Sequence, residues 1–453
     1  MLLDKVQVTA ADDLAVGLFA VAEGTVLRVP HGMAGLPVQT AFRLLYMAFV
    51  AFRRTRPDAA MLHPLDGVSP HAGGTAAGPG TASFIDCLAF DELFDRANPL
   101  HLLALRPRLM LREHGRLQQF DRHLHRALFD EADAPYFPRL PTARKIRRQD
   151  GGDIAGLYFF LAEDFYLNLL QIDPGIVWGS YAREATACAT DFRHRHLREG
   201  DSLYGADADQ CLQLRVRLQQ LLRRAYRDTT LRSKEFLALH AALDRYLHPS
   251  LAHGRYPGQI WGMKNFWPIW ESMCLHECLR QATTTGDMSI VACDATHLPA
   301  HPVHAAQHAA WDRQQRAIFA HNGICRRPDL LLQRSDGFTV VDFKYYASVP
   351  PWHQRSRPEQ PGGKHQQDLD NIELYGLLLH RHLAAAGVPA PAIGLEFWLP
   401  GTEAARQDVA SSPAWDPPLT VVTLPMQEMI ARYGELYAPG LRTAAAHAAT
   451  TTA

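Results

Sequence analysis

No Gly-x-x-x-x-Gly-Lys-Ser/Thr occurs anywhere in the 453 residues, so the chain carries no recognisable NTPase motor of its own. Cysteine is scarce and scattered: Cys87, Cys188, Cys211, Cys274, Cys278, Cys293 and Cys325 are odd in number and form no CxxC pair, which fits a reducing cytosol. Charge of one sign is missing as well. With 46 Lys and Arg against 47 Asp and Glu, the net charge of −1 argues against strong nonspecific binding of nucleic acid through overall charge. Any DNA contact must come from local basic patches or from a partner. The apolar runs fall short of a membrane span, and no basic-then-apolar leader opens the chain, which predicts a soluble cytoplasmic protein with no membrane contact. What is present is ordinary globular composition, 47% hydrophobic and 21% charged, at a length that favours two or three domains.

Residues 1 to about 66 mix strand-like runs, Ala15 to Val21 and Thr25 to Val29, with a helical pattern around Val38 to Phe52. The stretch 67–80 is too rich in Gly, Pro and small residues to pack regularly and reads as a loop. The basic run Arg144-Lys145-Ile146-Arg147-Arg148 reads most simply as a solvated face, with phosphate contact as the alternative. Ile154 to Leu170 is apolar enough to be buried core. Asp207 to Tyr226 and Ser233 to Leu247 each place leucines on one helical face and predict a helical hairpin, a scaffold or docking surface for a partner. Among the 23 histidines, His297, His301, His304 and His308 recur at helical spacing. Pro299 and Pro302 interrupt them and no Glu or Cys completes a ligand pattern, so they read as structural, as do Cys274, His276 and Cys278.

The chemistry concentrates in the stretch 327–346. Leu330 to Leu332 and Phe338 to Val341 are strand-forming runs separated by Ser335-Asp336-Gly337, which predicts a β-hairpin. A two-residue turn at Asp336-Gly337 would set Asp329 opposite Lys344 and Leu331 opposite Asp342. Because side chains alternate along a strand, Asp329, Asp342 and Lys344 then share one face, while Leu330, Leu332, Val341 and Phe343 take the other. Two carboxylates and an amine on otherwise apolar strands are costly unless they bind something, and oxygen-only ligation suits Mg²⁺ or Mn²⁺. A plain surface salt bridge between Asp329 and Lys344 is the competing reading.

Upstream, Asn265 as N-cap and Pro268 in the first turn signal a helix beginning near Phe266, with Glu271 set among large apolar residues. Pro328-Asp329, twelve intervening residues and then Asp342-Phe343-Lys344 resemble the PD-(D/E)XK nuclease superfamily. The helix Trp270-Glu271-Ser272-Met273-Cys274, the strand end Asp342-Phe343-Lys344-Tyr345-Tyr346 and the following segment from Asp368 to Tyr375 are similar to McrC and LlaJI-type restriction endonuclease subunits. In that group the segment carries a Gln where this chain has Ile372; Gln366 or Gln367 could take its part if the helix starts earlier.

The resemblance implies an α/β chain. Residues 251–440 would form a PD-(D/E)XK restriction-endonuclease-like domain, a mixed sheet flanked by helices. Before it would lie an N-terminal α+β region (1–150) that contacts a partner or DNA and a mainly helical middle (151–250), and after it a disordered tail (441–453). It implies a Mg²⁺-dependent endodeoxyribonuclease acting on double-stranded DNA, with Mn²⁺ as substitute. Glu271, Asp329 and Asp342 would ligate the metal, and Lys344 and Tyr375 would complete the catalytic set. Arg326 and Arg327, and Arg355, Arg357 and Lys364 from the long Pro- and Gly-rich loop Ala347 to Lys364, would contact the backbone. Family members of this kind work beside a separate McrB-like AAA+ NTPase in restriction or antiphage defence, and self-association is compatible with this layout. The alternatives are a catalytically silent adaptor that stimulates such an NTPase, and a nuclease of DNA repair or transposon processing.

Overall fold

The computed structural model describes residues 2–11, 15–21, 24–55, 121–136, 152–229, 234–248, 259–263, 266–284, 286–294, 302–347, 363–389, 391–409 and 419–437. The stretch 67–80, the basic run 144–148, Asn265, His297, His301, Arg355, Arg357 and the terminal 441–453 lie outside them.

In chain order, β1 (Val6–Ala10), β2 (Val16–Val21), β3 (Gly24–Val29) and α1 (Val38–Thr55) precede a short ribbon of β4 (Leu128–Phe129) and β5 (Pro135–Tyr136). The helical middle comprises α2 (Gly152–Asp164), continued as a π-helix over Phe165–Leu170, then α3 (Pro174–Trp178), α4 (Ala182–His196), α5 (Ala208–Asp228) and α6 (Lys234–Leu247). The last part runs β6 (Gln259–Met263), α7 (Trp267–Thr284), β7 (Met288–Cys293), α8 (Pro302–Phe319), β8 (Ala320–His321) and β9 (Ile324–Cys325). It continues with β10 (Leu330–Arg334), β11 (Gly337–Phe343), α9 (Gly363–Ala385), β12 (Ala392–Gly401), β13 (Ala405–Val409), β14 (Leu419–Pro425) and α10 (Met426–Tyr437).

The strongly patterned segments fold as their periodicity demands. Asp207 caps α5 by accepting from the amides of Asp209 and Gln210, which satisfies two donors that a helix start leaves open. The α5–α6 pair is antiparallel: Tyr226 near the end of α5 meets Phe236 and His240, while Gln219 one to two turns earlier donates to the Leu247 carbonyl at 2.7 Å. Pro302 is tolerated because it opens α8, where its missing amide costs nothing, and His304 and His308 therefore lie on a continuous helix.

Two sheets organise the mixed α/β chain. The first has the order β1-β3-β2-β6, so β6, some 240 residues after β2, closes its edge. The second is mixed, with the order β13-β14-β12-β11-β10-β7; β11, β12 and β14 are parallel and the other pairings antiparallel. One face of this sheet buries Leu330, Leu332, Val341, Phe343 and Trp398 in a core that also holds α7, α10 and α1. Its other face buries Leu331, Val340, Leu395 and Phe397 under α9 and the end of α8. Among the described residues no helix is long and apolar enough to cross a membrane.

The β10–β11 hairpin forms with a different register from the one expected. Arg334 pairs with Gly337 and Leu331 with Val340, so the two-residue turn is Ser335-Asp336, and Leu331 does not face Asp342. The physical cause is β12. Gly337 is the first strand residue at φ +148°, and a Cβ there would stand 2.2 Å from the Ala392 carbonyl oxygen. Only glycine lets β12 approach that closely, which holds Gly337 in the ladder instead of the turn. The slip is two residues per pair, and side chains alternate with a period of two, so every side chain keeps its expected face.

Candidate active site

Extending the observed register by one pair sets Asp329 beside Asp342, where Lys344 had been expected. Asp329 precedes β10 and is tied on three sides. The Asp294 amide donates to its carbonyl at 3.0 Å, its carboxylate accepts from the Phe343 amide at 2.5 Å, and Gln315 of α8 donates to the preceding Pro328 carbonyl at 2.8 Å. Asp342 is the penultimate residue of the central strand β11 and is 6% exposed. Lys344 stays extended because its amide donates to the Trp398 carbonyl at 3.0 Å, continuing the ladder with β12. Phe343, between them, turns to the opposite face and packs its ring 5.7 Å from Trp398.

The ammonium of Lys344 lies 2.9 Å from Asp342 Oδ2 and 3.1 Å from Asp368 Oδ1. Asp368, on the second turn of α9, also accepts a hydrogen bond from the Tyr346 hydroxyl. Lys344 is thus shared by two buried carboxylates from different elements, with the Phe397 ring 6.0 Å beneath it. Burial alone would lower its affinity for a proton, but Asp342, Asp329 and Asp368 outweigh that and hold the ammonium firmly protonated. Asp329 shifts upward too, which for a carboxyl favours the neutral form. Burial raises its carboxyl well above the usual range, and Asp342, Glu271 and a hydrogen bond shared with Asp342 push it further, against the pull of Lys344. The cluster holds more negative charge than its one lysine neutralises.

Glu271, half-buried on α7, stands near enough to raise both Asp329 and the Cys274 thiol. Among the described residues, however, no group of three or more His, Cys, Asp and Glu is gathered closely enough to hold a metal ion. Tyr375 is buried on α9, its ring 6.1 Å from Phe319. Burial, followed by the charges of Asp342 and Asp329, pushes its hydroxyl up to about 12. Arg326 is held by Asn371 at 3.4 Å, Arg327 is exposed, and Lys364 is exposed with its ammonium 5.7 Å from the Tyr346 ring. The structure therefore gathers Asp329, Asp342 and Lys344, and sets Glu271, Tyr375 and Arg326 around them.

Helix α9 begins at Gly363, so Gln366 and Gln367 are helical. Gln366 donates to Asp370 at 2.6 Å, Gln367 is exposed, and Ile372 is fully buried in the core. Two contacts are not legible in the sequence alone. Asp368 opens the segment that carries the resemblance, but it meets Lys344 only because α9 docks against the sheet. Tyr346 reaches the same carboxylate, and its two-residue spacing from Lys344 is the signal that could place it there.

The donor chemistry fits a divalent cation. Asp329 and Asp342 offer only oxygen and are in contact, and burial together with the neighbouring carboxylates disfavours an uncompensated charge on Asp329, which a bound cation would relieve. No protein-family model matches this chain, and no curated protein is significantly similar to it.

Proposed function

We propose that the chain is a metal-dependent DNA endonuclease of the PD-(D/E)XK type, its nuclease module built on the six-stranded mixed sheet. The observation that carries this reading is the convergence of Asp329, Asp342 and Lys344 at one end of the sheet's central strands, with Lys344 in ion-pair contact with Asp342. Asp329 and Asp342 would hold Mg²⁺ or Mn²⁺, with Glu271 as a further carboxylate whose charge acts on Asp329. The cation would supply Lewis-acid stabilisation and a more acidic water at the scissile phosphate.

The chain's own groups do the rest. Lys344, held protonated, presents positive charge to a phosphate oxygen as water adds to phosphorus and the P–O ester bond breaks. Asp342 and Asp368 fix where that ammonium points, and the Phe397 ring below it excludes water from one side. Arg326, Arg327 and Lys364 lie on the surrounding surface as phosphate contacts. An AAA+ NTPase acting in trans, as in the resembled restriction subunits, would supply translocation.

The second reading, a silent nuclease fold that stimulates an NTPase, is favoured by Ile372, which puts a core residue where the resembled helix carries its Gln. One experiment separates the two. Purified protein is incubated with plasmid and linear DNA in Mg²⁺, Mn²⁺ or EDTA, as wild type and Lys344→Ala, alone and with a neighbouring NTPase. Metal-dependent cutting that falls about 10²-fold or more in Lys344→Ala supports the nuclease. Equal NTPase stimulation by both proteins with no cutting replaces it with the adaptor.

A further inference from the structure

The six residues from Ala320 to Cys325 form a hairpin that fills no core. Asn322 at φ 50° and Gly323 at φ 75° make its two-residue turn, the left-handed pair that matches strand twist. His321 faces Ile324 across the tip. All six residues are exposed, and Ile324 is 60% exposed, the most exposed large hydrophobic side chain among the described residues. A two-stranded ribbon this short does not hold itself together in water. It is fixed from both ends instead. The Arg326 amide donates to the Phe319 carbonyl at 3.2 Å, Arg326 reaches Asn371 on α9 at 3.4 Å, and Arg381, also on α9, contacts His321 at 3.0 Å.

The hairpin is therefore a rigid apolar point set in a cationic frame of Arg326, Arg327 and Arg381. It leads through Arg326, Arg327 and Pro328 directly into Asp329. Among the described residues nothing buries this β-branched side chain at its fixed tip. Duplex DNA offers both complements: phosphates for the arginines, and base-pair steps between which an apolar wedge can insert, partly unstacking and kinking the helix. Insertion of Ile324, five residues before Asp329, would bend the duplex beside the carboxylates.

We propose that Ile324 is a DNA wedge: the β8–β9 hairpin inserts it between base pairs of double-stranded DNA and kinks the duplex at the Asp329, Asp342 and Lys344 site. This rests on the nuclease reading for its purpose, though not for its detection.

The test uses the full chain with duplexes carrying 2-aminopurine at successive positions and a fluorophore pair at the ends, in EDTA so that no cutting intervenes. Wild type is compared with Ile324→Ala and Ile324→Gln, with thermal melting as the check that these variants fold. The expected result is a rise in 2-aminopurine emission and end-to-end energy transfer with wild type. Both signals disappear in the Ile324 variants, and affinity falls about three- to tenfold as the insertion energy is lost. Unchanged unstacking and bending in Ile324→Ala overturns the wedge and leaves the nuclease reading standing. Loss of those signals in Ile324→Ala, with no metal-dependent cutting by wild type, overturns the nuclease and leaves the wedge. Wild type that binds without perturbing stacking, while Ile324→Gln abolishes stimulation of an NTPase, makes the hairpin a protein-docking point and overturns the wedge.

Discussion

At the scale of single residues, the site turns on how one ammonium is divided between two carboxylates. Asp342 lies on the strand that carries Lys344, whereas Asp368 reaches it from α9, so Asp368 is a positioning residue. Asp368→Asn is expected to lower kcat for DNA cleavage by about 10- to 100-fold, the range found when a supporting partner of a metal-site group is removed. KM should change little and the melting temperature should hold. Single-turnover kinetics with a thermal melt check this, and a fall in stability equal to the loss of rate would mark Asp368 as structural. Gly337 is decided by one oxygen atom. Gly337→Ala sets a Cβ against the Ala392 carbonyl at a φ few side chains adopt, and a loss of about 2–4 kcal/mol in denaturant unfolding is expected.

At the scale of elements, α7 and α10 are joined by a buried carboxylate. Glu277 accepts from Arg280 at 2.9 and 2.6 Å, from Gln281 at 2.9 Å and from Arg432 of α10 at 3.1 Å. Burial pushes its carboxyl up, but the bonds from Arg280 and Gln281 and the Arg432 charge outweigh that and hold it below the usual glutamate range. A depressed value means stability that is fully present above the unfolded pKa, about 4.3, and is lost as pH falls through the folded value. Glu277→Gln is expected to cost about 1–3 kcal/mol at pH 7 and to flatten the acid limb of the stability profile below about pH 4.5, measured by urea unfolding across pH. The hairpins show what was legible at this scale. Asn322-Gly323 carries its turn in two adjacent residues, whereas the register at Ser335-Asp336-Gly337 depends on β12, a strand that joins some fifty residues later.

At the scale of the whole molecule, the first and last parts of the chain share one apolar core running from Leu3 to Tyr433. β6 completes the N-terminal sheet, and α1 lies against α10, where Met47 meets Gly434. His31 packs its ring 5.1 Å from Tyr345, the residue after Lys344. A fragment of residues 251–440 alone would expose the faces that β2 and α1 cover. It is expected to aggregate or to show a broad, non-cooperative melt, whereas the full chain melts cooperatively; size-exclusion chromatography and calorimetry check this.

The sequence alone determined what depends on neighbours a few residues away. The 3.6-residue spacing of leucines placed α5 and α6, the alternation along 329–344 put Asp329, Asp342 and Lys344 on one face, and Pro268 and Asp207 marked helix starts. A period of two survives any even slip, so the face was secure even where the register was not. Tertiary structure decided what depends on contacts between distant segments: that Asp342 neighbours Asp329, that Asp368 on α9 closes on Lys344, and that β6 joins the N-terminal sheet. Those outcomes follow from which backbone can approach which, as at Gly337 and Ala392, and from charges whose affinities for protons shift only once burial brings them together.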